Sequence, residues 1–193
     1  MKRSRTVWTA VALLLTALGA SALPAEAATA ATTRTTVCPT GWGSLPKALE
    51  AGTSTPVRNV RTGRHTCYDR MVVDVPGAHR SDLGYSVGYV ARLHQDGSGR
   101  LIHVGGGAIL EVRISAPAYD PRTGDATYPA EAGRPLPGVD LTGYRAFRDT
   151  RFAASFEGDT QLGLGVRTRL PFRVLRTDGH LIVDVAHSWN GTP

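Results

Sequence analysis

Two stretches of alternating residues, separated by a polar turn, lie between positions 57 and 75 of the chain. In the first stretch, Val57, Asn59 and Arg61 alternate with Arg58 and Val60. Residues 67–75 alternate again, which places Cys67, Asp69, Met71, Val73 and Val75 on one face and Tyr68, Arg70, Val72 and Asp74 on the other. This two-residue period predicts a β-hairpin whose turn spans residues 62–66, with polar groups at its mouth.

Most of the remaining chain shows the same period. Alternation predicts strands over residues 85–93, 108–115, 147–156, 162–166, 172–175 and 181–186. Residues 117–137 contain five prolines and are predicted to form a long irregular connection. Short strands, glycine-rich turns and very little helical periodicity favour an all-β fold, either a β-sandwich or a flattened barrel.

Residues 44–50 show the clearest helical signal of the chain. Ser44 is a suitable N-cap, and Pro46 fits the first turn of a helix. We therefore predict a single β domain with one short helical turn near its N-terminus.

The first 27 residues have the pattern of a signal peptide. Lys2, Arg3 and Arg5 precede an apolar run over residues 7–19, and residues 25–27 read Ala-Glu-Ala, a small-x-small cleavage pattern. The apolar run is shorter than the roughly 20 residues that a membrane-spanning helix requires. We expect a secreted protein, extracellular or associated with the cell wall, without a membrane span.

Cleavage after Ala27 would leave a chain with 19 basic and 15 acidic residues, a net charge of +4. Residues 28–37 are rich in threonine and alanine and are predicted to be a flexible leader, followed by one domain over residues 38–190. A modest positive charge is ordinary for a secreted protein, and we expect no nucleic-acid partner. The sequence does not indicate an oligomeric state.

The chain has two cysteines, Cys38 and Cys67. In an exported protein, the simplest expectation is one disulfide between them. Such a bond would pin the first ordered segment to the hairpin and bring the Trp42 loop towards it. Trp42 is then able to stack against a sugar ring or to cover the disulfide.

The hairpin sequence also resembles a known family. Val-Arg-Thr-Gly-Arg-His-x-Cys-Tyr-Asp-Arg-x-Val-Val, over residues 60–73, is similar to the signature of the AMIN-like domain of secreted proteins from high-GC Gram-positive bacteria. Segments at residues 41–44, 156–158, 171–174 and 181–185 agree with it. That family is related to the AMIN domain of cell-wall amidases and secretins. The resemblance implies a module that accompanies the cell wall.

Catalytic and metal-binding patterns are weak. Gly84-Tyr85-Ser86-Val87-Gly88 matches Gly-x-Ser-x-Gly, but that motif needs a strand-to-helix turn, whereas strand alternation continues through Ser86. The six histidines show no zinc-ligand spacing, and we expect no metal and no other cofactor.

The remaining candidates surround the hairpin. Trp42, Arg61, Arg64, His65 and Arg70 are the candidate ligand-binding residues, with Arg64 and His65 in the turn. Arginine forks bind carboxylate or phosphate groups in a bidentate manner, so one interpretation is a grip on a wall polymer. The other is a salt-bridge lattice that pairs Asp69 with Arg70 or Arg61, and Asp74 or Asp184 with a neighbouring arginine. The two interpretations are compatible.

Three functions follow from these observations. The first is a secreted, non-enzymatic module that associates with peptidoglycan or an anionic, teichoic-type wall polymer. The second is a soluble β-sandwich that sequesters a small ligand in a closed cavity or inhibits another secreted protein. The third is a hydrolase that uses Ser86 as its nucleophile.

Overall fold

The computed structural model describes residues 38–39 and 41–191. The predicted signal peptide and leader lie outside these residues and stay predictions. The described residues form eleven strands and one short 3-10 helix, η1 (Arg80–Asp82). The strands are β1 (Lys47–Leu49), β2 (Asn59–Arg64), β3 (Tyr68–Asp74), β4 (Tyr85–Val90), β5 (Leu93–His94), β6 (Leu101–Ile102), β7 (Ala108–Ile114), β8 (Phe147–Phe156), β9 (Asp159–Val166), β10 (Phe172–Thr177) and β11 (His180–Ala186).

Two antiparallel sheets enclose the core. Five strands are ordered β1-β4-β7-β9-β8, and four are ordered β10-β11-β3-β2; we call the second one the hairpin sheet. Met71 and Val73 on β3, Val112 on β7 and Leu164 on β9 are all 0% exposed and belong to one hydrophobic cluster. The predicted β-sandwich is confirmed.

The predicted hairpin is confirmed with one change in its turn. β2 continues through Gly63, which pairs with Arg70, as far as Arg64. The turn therefore lies over residues 65–67, where the His65 amide donates to the Tyr68 carbonyl at 3.0 Å. The inward face of the second strand is as predicted, from Cys67 at 9% exposure to Val75 at 0%.

The predicted helical turn at residues 44–50 is wrong. Residues Lys47–Leu49 form β1, which pairs with β4 at the edge of the five-stranded sheet. Pro46 packs beside Gly88, where a Cβ atom would lie 3.3 Å from the proline Cβ. Backbone pairing with an otherwise open strand edge outweighs the weak local preference for helix.

The strand predicted over residues 85–93 is interrupted. β4 ends at Val90, and the chain then forms the small β5-β6 hairpin. Leu93 of this hairpin packs on the five-stranded sheet at Gly163, where a Cβ atom would approach its Cδ2 to 2.5 Å. Because Gly163 has no side chain, the β5-β6 hairpin can pack against the sheet at this point. There, Leu93 forms a second small hydrophobic cluster with Ile102 and Ala153.

Candidate functional site on the hairpin sheet

Alternation along the hairpin sheet turns one set of side chains away from the core. Cross-strand register places Arg173 beside Asp184, Asp184 beside Arg70, and Arg70 beside Gly63. We call these four residues the guanidinium row. Its members come from all four strands of the sheet, so the backbone pairing of these strands fixes their relative positions.

Asp184 holds both arginines of the row. Its carboxylate is 0% exposed and accepts hydrogen bonds from Arg70 Nε at 2.6 Å and Arg70 Nη2 at 2.8 Å. Arg173 Nε donates to the second oxygen of the same carboxylate at 2.8 Å. The hydrogen bond to Asp184 is the main cause that raises the pKa of Arg70 above its ordinary value. Two cations on one carboxylate leave the row with a net positive charge.

Three rings lie beside this row and form what we call the aromatic strip: Trp42, Tyr68 and His65. The Trp42 and Tyr68 ring centroids are 5.6 Å apart, and His65 stacks on Tyr68 at 4.5 Å. Arg173 lies 4.4 Å from the centre of the Trp42 ring and 5.3 Å from that of Tyr68, within cation-π range. Trp42 and Tyr68 are half-buried and His65 is exposed, so the strip is accessible to solvent.

The Trp42 loop is fixed by the disulfide, by β10 and by Arg169, which donates to the Ser44 hydroxyl at 3.2 Å and to the Ser44 carbonyl at 3.1 Å. The predicted disulfide between Cys38 and Cys67 is present, with Cα atoms 5.3 Å apart. The Phe172 amide, at the start of β10, donates to the Gly43 carbonyl at 2.9 Å. The ring contacts of Trp42 are with Tyr68 and Arg173, so the tryptophan forms part of the outer face of the sheet.

Arg61 belongs to the same face, and Arg64 does not. Arg61 Nε contacts Asp74 Oδ2 at 3.1 Å, and its side chain is 55% exposed. Arg64 is three positions further along β2, on the opposite face, and its Nη1 lies 2.7 Å from the Cβ position of Gly143. The structure therefore brings Trp42, Arg61, His65 and Arg70 together and places Arg64 elsewhere.

The predicted pairing of Asp69 with Arg70 or Arg61 is wrong, because Asp69 points into the core. It is 1% exposed, and its Oδ1 lies 3.0 Å from Nε2 of the buried His187. Its Oδ2 accepts from the amides of Ala146 at 2.6 Å and Phe147 at 3.1 Å. The other expected pairings, of Asp74 and Asp184 with neighbouring arginines, are confirmed.

Arg173 is the site residue that the sequence reasoning missed. Its position on the outer face follows from alternation along β10, but its partners do not, since they come from three other segments. The Pro-Phe-Arg-Val segment that agrees with the family signature was the available signal, because it contains this arginine.

Ser86 has no catalytic setting of the kind that its motif requires. It lies inside β4, with Ala48 of β1 on one side and Arg113 of β7 on the other. The strand continues beyond it, so the sharp strand-to-helix turn of a nucleophile elbow is missing here. Within residues 38–39 and 41–191, no group of three or more histidine, cysteine or acidic residues is arranged to hold a metal ion.

Comparisons with known proteins give one result. A family model described as AMIN-like domain matches residues 55–187, which is more than half of the chain. No curated protein and no solved structure matches. Among the described residues there is no helix of the length and hydrophobicity needed to span a membrane.

Proposed function

The chain belongs to the AMIN-like family, and from this premise we propose that it is a secreted, non-enzymatic module that binds cell-wall polymer on the outer face of its hairpin sheet. Membership in this family indicates a module associated with the cell wall, and AMIN-like domains are in general binding modules without catalysis. The Cys38–Cys67 disulfide agrees with an extracellular or cell-wall location.

The observation that carries the proposal is the aromatic strip beside two fixed guanidinium groups. Wall polymers present the neutral faces of sugar rings and, at intervals, carboxylate or phosphate groups. Trp42 and Tyr68 offer half-buried aromatic surface for the sugars. Arg173 donates to Asp184 through Nε and lies against both rings, which places a fixed cation beside that surface. Because the sheet and the disulfide already fix these groups, little conformational entropy is lost on binding.

The shape of the surface also favours a polymer over an enclosed small molecule. A groove of about 430 Å³ beside Tyr89 and Arg169 opens to solvent, whereas a carrier requires a closed apolar cavity. On the hairpin sheet, Arg61 and His65 are exposed and Trp42 and Tyr68 are half-buried, so a long chain has access to this face.

Co-sedimentation with purified sacculi tests the proposal. Trp42→Ala removes the largest ring of the strip, and we expect binding to weaken at least about tenfold, as for a central aromatic contact. Phe156→Ala is the control, because Phe156 is an exposed aromatic residue (46%) at the end of β8, in the other sheet. Circular dichroism checks that both variants are folded.

The salt series and the wall composition give two further readouts. Binding should weaken as salt is raised, because exposed charges are screened over about 8–10 Å near physiological ionic strength. Sacculi with and without teichoic polymers show which polymer is bound. If folded Trp42→Ala protein sediments like the wild type, the proposed site is wrong.

A further inference from the structure

A hollow of about 300 Å³ lies over the hairpin sheet, next to the guanidinium row. Its floor contains Gly63, Val72 and Ile182, and its sides include Arg61, Arg70 and His65. Gly63 creates the space, since a Cβ atom added there would meet only His65 Nε2, at 3.8 Å. The absence of a side chain at Gly63 therefore keeps this part of the hollow open.

The permanently charged residues that line the hollow are of one sign. They are Arg61 and Arg70; His65 and His180 also line it, and no aspartate or glutamate is among the lining residues. The acids that pair with the arginines lie outside it: Asp74 contacts Arg61, and Asp184 contacts Arg70. The hollow thus has the charge that an anionic group requires.

The guanidinium groups of Arg61 and Arg70 also have N–H donors that their acidic partners do not use. Arg61 contacts Asp74 through Nε, and Arg70 contacts Asp184 through Nε and Nη2. Both Nη groups of Arg61 and the Nη1 group of Arg70 make no hydrogen bond to another described residue. The acids therefore orient the arginines from one side and leave N–H groups for a ligand on the other, which is the arrangement that charge-assisted recognition needs.

We propose that this hollow binds a single oxyanion between Arg61 and Arg70. The shared chemistry is a group with at least two negatively charged or partly charged oxygens, either a carboxylate or a phosphate. The identity of its source rests on the proposed function: on a wall polymer, the group is a stem-peptide carboxylate or a phosphodiester. The aromatic strip then holds the neighbouring sugar or peptide, and the hollow sets the position of the charge.

Titrations followed by NMR chemical shifts of the folded protein test the proposal directly. The probes are dimethyl phosphate for a phosphodiester and N-acetylalanine for a carboxylate, both with one negative charge. We expect the backbone amides of Gly63 and Arg61 to shift with saturation for at least one probe. The tighter probe identifies the source of the oxyanion, and either order of affinity supports the proposal.

Two variants change the hollow in different ways. Gly63→Val fills the floor and removes no charge, and a β-branched residue suits the strand. Arg61→Ala removes donors at an exposed position, where an ion pair contributes little to stability. We expect each to weaken probe binding about tenfold or more: Arg61→Ala through the loss of one charge-assisted contact, and Gly63→Val because its side chain takes the space of the oxyanion.

Arg64→Ala is the control, since it removes the same charge from the same strand on the opposite face, and it should bind the probe within about twofold of the wild type. If Gly63→Val binds like the wild type, or Arg64→Ala loses as much affinity as Arg61→Ala, the hollow is not the site. Loss of probe binding in both hollow variants supports the proposal whatever their sacculus binding, which tests the proposed function separately.

Discussion

Asp69→Ala should be among the most damaging single substitutions in this protein. Asp69 is 1% exposed and accepts three hydrogen bonds, from the amides of Ala146 and Phe147 and from Nε2 of His187. It thereby connects β3 to the start of β8 and to the segment that follows β11. Alanine would leave three buried donors without this acceptor.

The magnitude follows from those three contacts. A buried donor that loses its partner costs about 1–3 kcal/mol, and relaxation of the neighbouring chain recovers part of the sum. We therefore expect Asp69→Ala to lower the free energy of unfolding by about 3–5 kcal/mol. This is a large part of the roughly 5–15 kcal/mol by which a domain is stable.

Urea denaturation followed by circular dichroism measures the effect. Asp69→Asn is the companion variant, because its amide keeps one acceptor oxygen but presents an NH₂ group to donors. It should fall between the wild type and Asp69→Ala. A loss below about 1 kcal/mol for Asp69→Ala would refute this reasoning, since the three contacts would then contribute almost nothing.

Three further predictions concern separate parts of the fold. Replacing both Cys38 and Cys67 by alanine should lower the free energy of unfolding by about 3–4 kcal/mol, because the bond closes a loop with a sequence separation of 29; an unchanged urea midpoint would contradict this. The Tyr128 hydroxyl is buried without a hydrogen-bond partner among the described residues, and burial raises its pKa to about 12. Unfolded tyrosine ionises near pH 10, so this contribution to stability is complete below pH 10 and is lost as the pH rises towards 12. Tyr128→Phe should therefore flatten the alkaline loss of stability, and an unaltered pH profile would count against the assignment. Ser86→Ala should leave any hydrolytic activity of a clean preparation unchanged, whereas stoichiometric fluorophosphonate labelling that this substitution abolishes would reverse the conclusion.

The alternation along single strands was readable from the sequence because burial imposes it directly. In β3 and β7, one face packs on the core, so apolar residues recur at every second position. The same reasoning failed for β1, whose three residues have no such pattern and form a strand only because the edge of β4 is available. The sequence pattern therefore predicts a strand only where that strand buries one face in the core.

The candidate site was only partly predictable for a related reason. The residues of the hairpin turn are close in sequence, and their spacing placed Arg61, His65 and Arg70 near one another. Asp184 lies 114 positions from Arg70, and the contact between them depends on β11 pairing with β3. Strand order is a property of the whole fold, so the local sequence left open which arginine pairs with Asp184 and did not reveal the role of Arg173.

The central claim is that wall material binds the outer face of the hairpin sheet, and the indole N–H signals test it most directly. Trp42 and Trp189 are the tryptophans of the described residues. The Trp42 ring makes a cation-π contact with Arg173, whereas the Trp189 indole N–H donates to the Arg169 carbonyl. In a titration with soluble peptidoglycan fragments, we predict that the Trp42 indole signal shifts with saturation, together with the amides of Tyr68 and Arg70, while the Trp189 signal stays in place. A saturable shift of Trp189 with Trp42 and the hairpin sheet unchanged would contradict the account.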